Sequence, residues 1–158
     1  MTPYFQSNWL RALRTYLGAC AILLFVWEVL QLPLYSIWST GTFSEIAFAI
    51  LHCTAGDLMI ASLSLLIALL IFGNFAWPSE RFVVVMVTTL GIGIGYTIYS
   101  EWMNTTVRKT WEYSKLMPTI PMLGTGLSPL MQWLIVPTIG FWAIQRRQLN
   151  HKQPGHRR

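Results

Sequence analysis

Acidic and amide side chains interrupt the apolar stretches of this chain, where their burial needs a chemical explanation. Glu28 and Gln31 lie three positions apart on one helical face of the first stretch, and His52 and Asp57 interrupt the second. An ionisable group in membrane hydrocarbon costs about 3 kcal/mol on insertion scales, so it needs a partner or a role. Such groups can move protons, bind a cation or join helices by hydrogen bonds.

Polar residues occur in all four apolar stretches, and we predict that they form one buried layer in the outer half of the membrane. The candidate site comprises Glu28, Gln31, His52, Asp57, Tyr96, Ser100, Glu101, Asn104 and Gln132. A chain that crosses the membrane four times brings all nine to a similar depth, because each residue adds about 1.5 Å along a helix. His52 and Asp57 face about 140° apart, so they cannot both point to the bundle axis.

The stretches that position this layer are long enough to cross a membrane, since about 20 apolar residues suffice. We predict helices at about residues 15–37, 46–72, 82–102 and 129–144. Together they form a single transmembrane domain, residues 1–145, followed by a basic cytoplasmic tail, residues 146–158. The predicted fold class is therefore an all-α integral membrane protein, a bundle of four transmembrane helices.

The composition excludes a soluble domain. The chain has 158 residues, of which 54% are hydrophobic and 11% charged, whereas soluble domains carry about 25% charged residues. Its net charge of +5 does not indicate nucleic acid, because Lys and Arg are scattered along the ends of the apolar stretches without a nucleic-acid-binding motif. We expect the lipid bilayer as a partner and no nucleic acid.

The basic residues also predict an orientation. Of the eleven Lys and Arg residues, eight fall on the side of both termini and three on the other side. Cytoplasmic loops carry the excess of positive charge, so both termini are predicted to be cytoplasmic. We expect a multi-pass protein of a bacterial inner (plasma) membrane.

Two glycines in the third stretch predict close helix packing. Gly91 and Gly95 form a G-x-x-x-G pattern, which lets a second helix approach closely in a membrane. The pattern lies in the middle of an apolar run, so it lacks the preceding strand and helix start of a phosphate-binding loop.

The segment at residues 118–127 is apolar but holds two Pro and two Gly, so it cannot form a regular helix. Irregular backbone at membrane depth is tolerated only against protein or a cavity. Two outcomes stay open. The segment folds back over the helix ends as a lid or shallow re-entrant loop, or it packs as a loop on the outer surface.

Three function classes stay open. We favour an accessory or assembly subunit of a membrane complex, which would bind a membrane protein partner or another copy of the chain. The first alternative is a small-molecule or proton-coupled transport or binding protein, because protonation and cation binding can compete for one carboxylate. The second is a membrane-embedded enzyme acting on a lipid-like substrate, with a carboxyl group and His52 as acid and base.

No metal site is predicted, and no cofactor is assigned. His52 is the one imidazole inside an apolar stretch, and zinc sites usually take more His or Cys ligands than this. A haem is disfavoured for a similar reason, since a Met would have to serve as the second axial ligand.

Overall fold

The computed structural model describes residues 3–152, and the side chains of residues 8–150. Within these ranges the chain is helical with no β-strand, and four helices are long and apolar enough to span a membrane. The prediction of an all-α fold is confirmed, and the four long apolar helices indicate a multi-pass membrane protein.

The described residues form five α-helices and two short helical turns. In chain order these are α1 (Pro3–Gln31), a 3-10 turn (Leu32–Leu34), α2 (Ile37–Thr40), α3 (Phe43–Phe72), α4 (Phe82–Trp102), a π-helical turn (Met103–Val107) and α5 (Leu127–Lys152). The four long helices are α1, α3, α4 and α5, and α2 is a single turn.

Five helix boundaries differ from the prediction, and the two largest differences lie at the ends near the termini. α1 begins at Pro3 rather than at residue 15, and α5 continues to Lys152 rather than ending at residue 144. Hydropathy detects only the part of a helix that lies in lipid, whereas Leu, Ala, Arg and Gln at its ends favour helix in water as well. Residues 146–152, predicted as tail, are therefore helical, and residues 153–158 of that tail lie outside the described residues. α1 also ends at Gln31 rather than at residue 37, α3 begins at Phe43 rather than at residue 46, and α5 begins at Leu127 rather than at residue 129.

The four long helices pack as a square. α1 packs against α3 and α5, and α4 packs against the same two helices. α1 therefore lies opposite α4, and α3 lies opposite α5. We call the end where α1 finishes and α5 begins the polar end, and the end where α1 begins and α5 finishes the basic end.

Local signals set the helix termini at the polar end. Pro33 lies in the 3-10 turn that follows α1. Proline lacks the N–H that a continuing helix needs, so it favours the end of α1 at this point. Thr42 caps α3 in a capping box: its backbone N–H donates to Glu45 Oε2 at 2.8 Å, and its Oγ1 accepts from the Glu45 N–H at 3.4 Å.

The close helix contact lies at Gly93, not at Gly91 and Gly95. A Cβ on Gly93 would overlap the Trp133 ring, which is 2% exposed, whereas a Cβ on Gly91 or Gly95 would meet nothing within 4 Å. Gly93 is two positions from each of the other glycines, or about 200° around the helix, so it faces the opposite side. Within this chain the packing prediction is corrected to Gly93.

Candidate functional site

Three helices contribute to a connected set of side-chain hydrogen bonds, the carboxyl–amide cluster, formed by Glu28, Gln31, Asp57, Ser128 and Gln132. Gln132 Nε2 of α5 donates to Glu28 Oε1 of α1 at 3.2 Å and to Asp57 Oδ2 of α3 at 2.8 Å. Because α3 and α5 lie opposite each other, the bond between Gln132 and Asp57 crosses the interior of the bundle.

The amide of Gln31 closes the cluster on the α1 side. Its Nε2 donates to Glu28 Oε1 at 2.7 Å and lies 3.5 Å from Gln132 Oε1. Its Oε1 accepts from Ser128 Oγ at 2.8 Å. Ser128 Oγ in turn accepts from Trp27 Nε1 at 3.2 Å, so both amide groups and the hydroxyl have partners.

Three of the five cluster side chains are enclosed by protein: Glu28 and Gln31 are each 6% exposed, and Gln132 is 2% exposed. Asp57 and Ser128 are half-buried. Glu28 and Asp57 share one donor, because Gln132 Nε2 donates to both. A proton on one of these two carboxyl groups would let it donate to the other, since a carboxylate offers only acceptors.

The two carboxyl groups have no basic partner among the described side chains. Their hydrogen-bonding partners are the amides of Gln31 and Gln132. A buried carboxylate is usually paired with a cation, so this arrangement leaves a negative site that a proton or another cation would neutralise.

Glu101 of α4 takes part in a second contact at the polar end. It is 6% exposed, and its carboxyl group accepts a hydrogen bond from the Tyr113 hydroxyl. The same hydroxyl oxygen accepts from the Gly126 N–H at 2.9 Å. Burial first, and then the bond to Glu101 and its charge, raise the pKa of the Tyr113 phenol well above its ordinary value. Tyr113 therefore stays protonated, as a donor, at neutral pH.

The irregular segment between the π-helical turn and α5 folds back onto the end of α1. Tyr35 and Tyr113 form an antiparallel bridge, in which the Ser36 N–H donates to the Glu112 carbonyl at 2.9 Å. Their rings lie 5.6 Å apart. Burial, followed by the charge of Glu101, raises the pKa of Tyr35 well above its ordinary value. Both tyrosines therefore face the acidic interior of the polar end.

The segment predicted as a lid or surface loop is folded on itself. Thr119 and Gly126 form a second bridge, with the Ile120 N–H donating to the Thr125 carbonyl at 3.0 Å. Thr125 is 1% exposed and Met117 is 7% exposed. Both side chains are thus packed, and the segment is tied to the bundle through Tyr113 rather than by apolar contact alone.

Two predicted site residues point away from the cluster. His52 is exposed and its ring stacks on Phe48, 5.4 Å away. Tyr96 is 47% exposed and contacts Tyr99. Each lies five positions before an acidic residue that faces inward, Asp57 or Glu101, and five positions turn a helix by about 140°. Their inclusion in one buried layer is corrected.

Ser100 and Asn104 form a local contact instead of joining the cluster. Asn104 Nδ2 donates to the Ser100 carbonyl at 2.8 Å and to its Oγ at 3.2 Å, and Asn104 Oδ1 accepts from Thr110 Oγ1 at 3.0 Å. These bonds satisfy groups at the end of α4. Of the nine predicted residues, four therefore meet in the cluster, and Glu101 lies in the neighbouring contact with Tyr113.

Ser128 and Tyr113 are site residues that sequence reasoning missed. Ser128 lies four positions before Gln132, so the i, i+4 relation on α5 could have found it. Tyr113 lies in an irregular segment, where no periodicity reports which way a side chain points. A loop separates Tyr113 from its partner Glu101, and the contact between them depends on how that loop folds.

We expect Tyr113→Phe to loosen the loop. The change keeps the ring against Tyr35 but removes the donor to Glu101 and the acceptor for the Gly126 N–H, which costs about 1–3 kcal/mol when a buried group loses its partner. Hydrogen exchange at the Gly126 amide should therefore accelerate by tenfold or more. Tyr99→Phe, at a side chain that is 53% exposed, is the matched control and should leave this exchange unchanged.

The carboxyl–amide cluster has the chemical groups to hold a proton or a cation. Among the described residues, no three His, Cys, Asp or Glu side chains are placed to hold a metal ion. A carboxyl pair with neutral partners can instead release its proton when a monovalent cation takes its place.

Comparison of the chain with protein-family models, curated proteins and solved structures finds no match.

Proposed function

We propose that this protein is a small membrane transport or binding protein in which Glu28 and Asp57 exchange a proton for a cationic small molecule. One observation carries the proposal: two carboxyl groups meet inside the bundle with neutral amides, and no basic side chain, as their described partners. The site therefore takes its positive charge from outside the chain, as a proton or as a ligand.

The arrangement of the two carboxyl groups supports a competition between a proton and a cation. When one of Glu28 and Asp57 carries a proton, it can donate to the other and the cluster carries less negative charge. Loss of the proton leaves two acidic groups that repel each other, and a bound cation relieves this repulsion. Gln132 donates to both groups and can keep them in place in either form.

A purely structural role is less favoured on energetic grounds. Hydrogen bonds between membrane helices contribute on average about 0.6 kcal/mol, whereas an ionisable group at this depth costs about 3 kcal/mol on insertion scales. Amides in place of Glu28 and Asp57 would make similar hydrogen bonds without that cost. Two acidic residues in one cluster are therefore better explained by chemistry than by stability.

An acid–base enzyme is less favoured on geometric grounds. That alternative needs a carboxyl group beside His52, and the imidazole lies against Phe48, outside the cluster. The nearby Glu101 is bound to a phenol. The arrangement therefore lacks the carboxyl–imidazole pair that this alternative needs.

Reconstituted vesicles test the proposal. The protein is placed in lipid vesicles that contain a pH-sensitive dye, and ethidium is added outside as a monovalent organic cation. We expect cation entry to be accompanied by proton movement in the opposite direction, and neither in vesicles without protein. Absence of both ethidium binding and coupled proton movement in vesicles that hold folded protein would contradict the proposal.

We further propose that both termini face the cytoplasm of a plasma membrane, which the distribution of Lys and Arg supports. In a background with Cys20 and Cys53 replaced by Ala, single Cys residues at Thr42 and Thr119 should react with an impermeant thiol reagent outside intact cells. A Cys at Asn150 should react only after the membrane is opened. Labelling of the Cys at position 150 in intact cells would show that the orientation is the opposite of the one proposed.

The accessory-subunit interpretation keeps one specific observation in its favour. Gly91 and Gly95 lie exposed on α4 with open space beside them, and such a pair allows a helix of another chain to approach closely. Native mass spectrometry of the purified protein would detect a second copy or a co-purifying partner. Gly95→Leu should then reduce that association without lowering the stability of the single chain.

A further inference from the structure

The basic end of the bundle carries a cluster of arginines on three different elements. The described side chains there include Arg11 and Arg14 of α1, Arg81 before α4, and Arg146 and Arg147 of α5, and all five are exposed. Glu80 is the acidic side chain described at this end, and its carboxylate accepts from Asn74 Nδ2 at 2.7 Å. This end therefore has a strong excess of positive charge.

An aromatic layer joins the helices that carry these arginines. The rings of Tyr16, Phe141 and Phe82 contact one another in series, with centroids 4.9 and 5.6 Å apart, and join α1, α5 and α4. Arg14 and Arg81 each lie within two positions of this layer on the side of the basic end. The arginines therefore surround one end of the same packed core.

Two of the arginines are held in position. Arg147 Nη1 donates to Thr15 Oγ1 of α1 at 3.1 Å, and Arg146 lies 4.7 Å above the Trp142 ring. A guanidinium has five N–H donors in a fixed fork, so one bond to a hydroxyl leaves Arg147 able to bind a further acceptor. A positioned fork of this kind suits the oxygens of a phosphate group.

Tryptophans lie near these guanidinium groups. Trp142 is 53% exposed and lies beneath Arg146, and Trp9, two positions before Arg11, contacts the buried Trp77 edge to face at 5.3 Å. Tryptophan is enriched at the level of the lipid headgroups. Phosphate at that level belongs to phospholipid, and basic pockets between membrane helices bind anionic headgroups.

We propose that the basic end binds the headgroup of an anionic phospholipid, held chiefly by Arg146 and Arg147 with Arg14 and Arg81 beside them. This site is separate from the carboxyl–amide cluster and does not depend on its function. The proposed headgroup site also does not depend on the orientation of the protein in the membrane, because the lipid comes from whichever leaflet faces the basic end.

Lipid retention tests the proposal. The protein is reconstituted in equal amounts of phosphatidylglycerol and phosphatidylcholine, extracted in mild detergent, and examined by native mass spectrometry for retained lipid. We expect phosphatidylglycerol to be enriched. Arg146→Gln with Arg147→Gln should lower its retention about fivefold for each arginine removed. Equal retention of both lipids by the unmodified protein would overturn the proposal.

Matched variants separate this site from a general effect of charge. Lys109→Gln with Lys115→Gln removes the same charge from exposed residues at the polar end, and should leave retention unchanged; an equal loss there would overturn the proposal. Arg14→Gln with Arg81→Gln keeps the bond between Arg147 and Thr15, so a loss of retention in this second pair cannot come from breaking that helix contact.

Inorganic phosphate distinguishes a lipid from a soluble anion. Phosphate added to the lipid-bound protein should leave the retained phosphatidylglycerol in place, because the acyl chains hold the headgroup at the surface. Displacement of the lipid by phosphate would show that the arginines serve a soluble anion, and would overturn the assignment to a phospholipid.

Discussion

Asp57→Asn and Glu28→Gln should each reduce proton-coupled cation uptake at least tenfold while leaving the thermal stability of the protein unchanged or higher. Each substitution keeps the shape of the side chain and an oxygen that accepts from Gln132 Nε2, but removes the group that exchanges a proton. Removing an ionisable group from a low-dielectric interior also lowers the cost of its burial. The measurements are ethidium-driven proton movement in vesicles and the unfolding temperature in detergent.

His52→Asn is the matched control for the carboxyl pair. It alters an ionisable residue of the same helix that is exposed and stacked on Phe48, so uptake should stay within twofold of the unmodified protein. Double-mutant cycles compare the free energies of unfolding. The cycle between Glu28 and Asp57 should show coupling above the additivity error of about 0.5 kcal/mol, and the cycle between His52 and Asp57 should not. If stability and uptake fall together in both carboxyl variants, the cluster is a structural network and the proposed function is wrong.

Gly93→Ala should destabilise the bundle strongly. A Cβ at this position would overlap Trp133, a residue of α5 that is 2% exposed and cannot move without disturbing the core. Overpacking of a well-packed interior costs about 1–3 kcal/mol, and a collision with a rigid ring lies at the upper end of that range. The free energy of unfolding in mixed micelles, measured by loss of helical signal, should fall accordingly.

Gly91→Ala tests whether the effect depends on the face of α4. It adds the same methyl group two positions away, where a Cβ meets nothing within 4 Å, so stability should change by less than about 0.5 kcal/mol. An equal loss at Gly91 and Gly93 would mean that helix flexibility, rather than contact with Trp133, explains the result. An effect at Gly91 on association alone would support a partner helix on this face.

The membrane class of the protein could be read from the chain alone. The apolar stretches predicted as helices correspond to the four long helices, and α4 has the predicted bounds of residues 82–102. This success has a simple physical reason: lipid cannot satisfy backbone polar groups, so an apolar stretch of sufficient length has to form a helix. The helix ends outside lipid, at Pro3 and Lys152, lack that constraint and were missed.

Part of the site could also be predicted. Glu28, Gln31, Asp57 and Gln132 were placed at one depth by counting about 1.5 Å per residue along helices that alternate in direction, and their side chains meet. Depth is a property that sequence position determines well. It does not determine the direction in which a side chain points.

Tertiary structure decided which face of each helix turns inward. His52 and Asp57 lie at similar depth, as do Tyr96 and Glu101, yet one member of each pair faces inward and the other outward. Gly93 rather than Gly91 meets α5 for the same reason. The rotation of a helix about its axis depends on how its neighbours pack, and a uniformly apolar helix carries little amphipathic signal that would reveal this rotation.

The loop contact was likewise decided by tertiary structure. Tyr113 reaches Glu101 because the chain after the π-helical turn folds back and pairs with the segment after α1, through bonds such as that from the Ser36 N–H to the Glu112 carbonyl. An irregular segment has no period from which its path can be inferred.

The sequence by itself therefore determined a four-helix membrane protein with acidic and amide groups at one depth. The packing of the helices and the fold of one loop decided which of those groups come into contact.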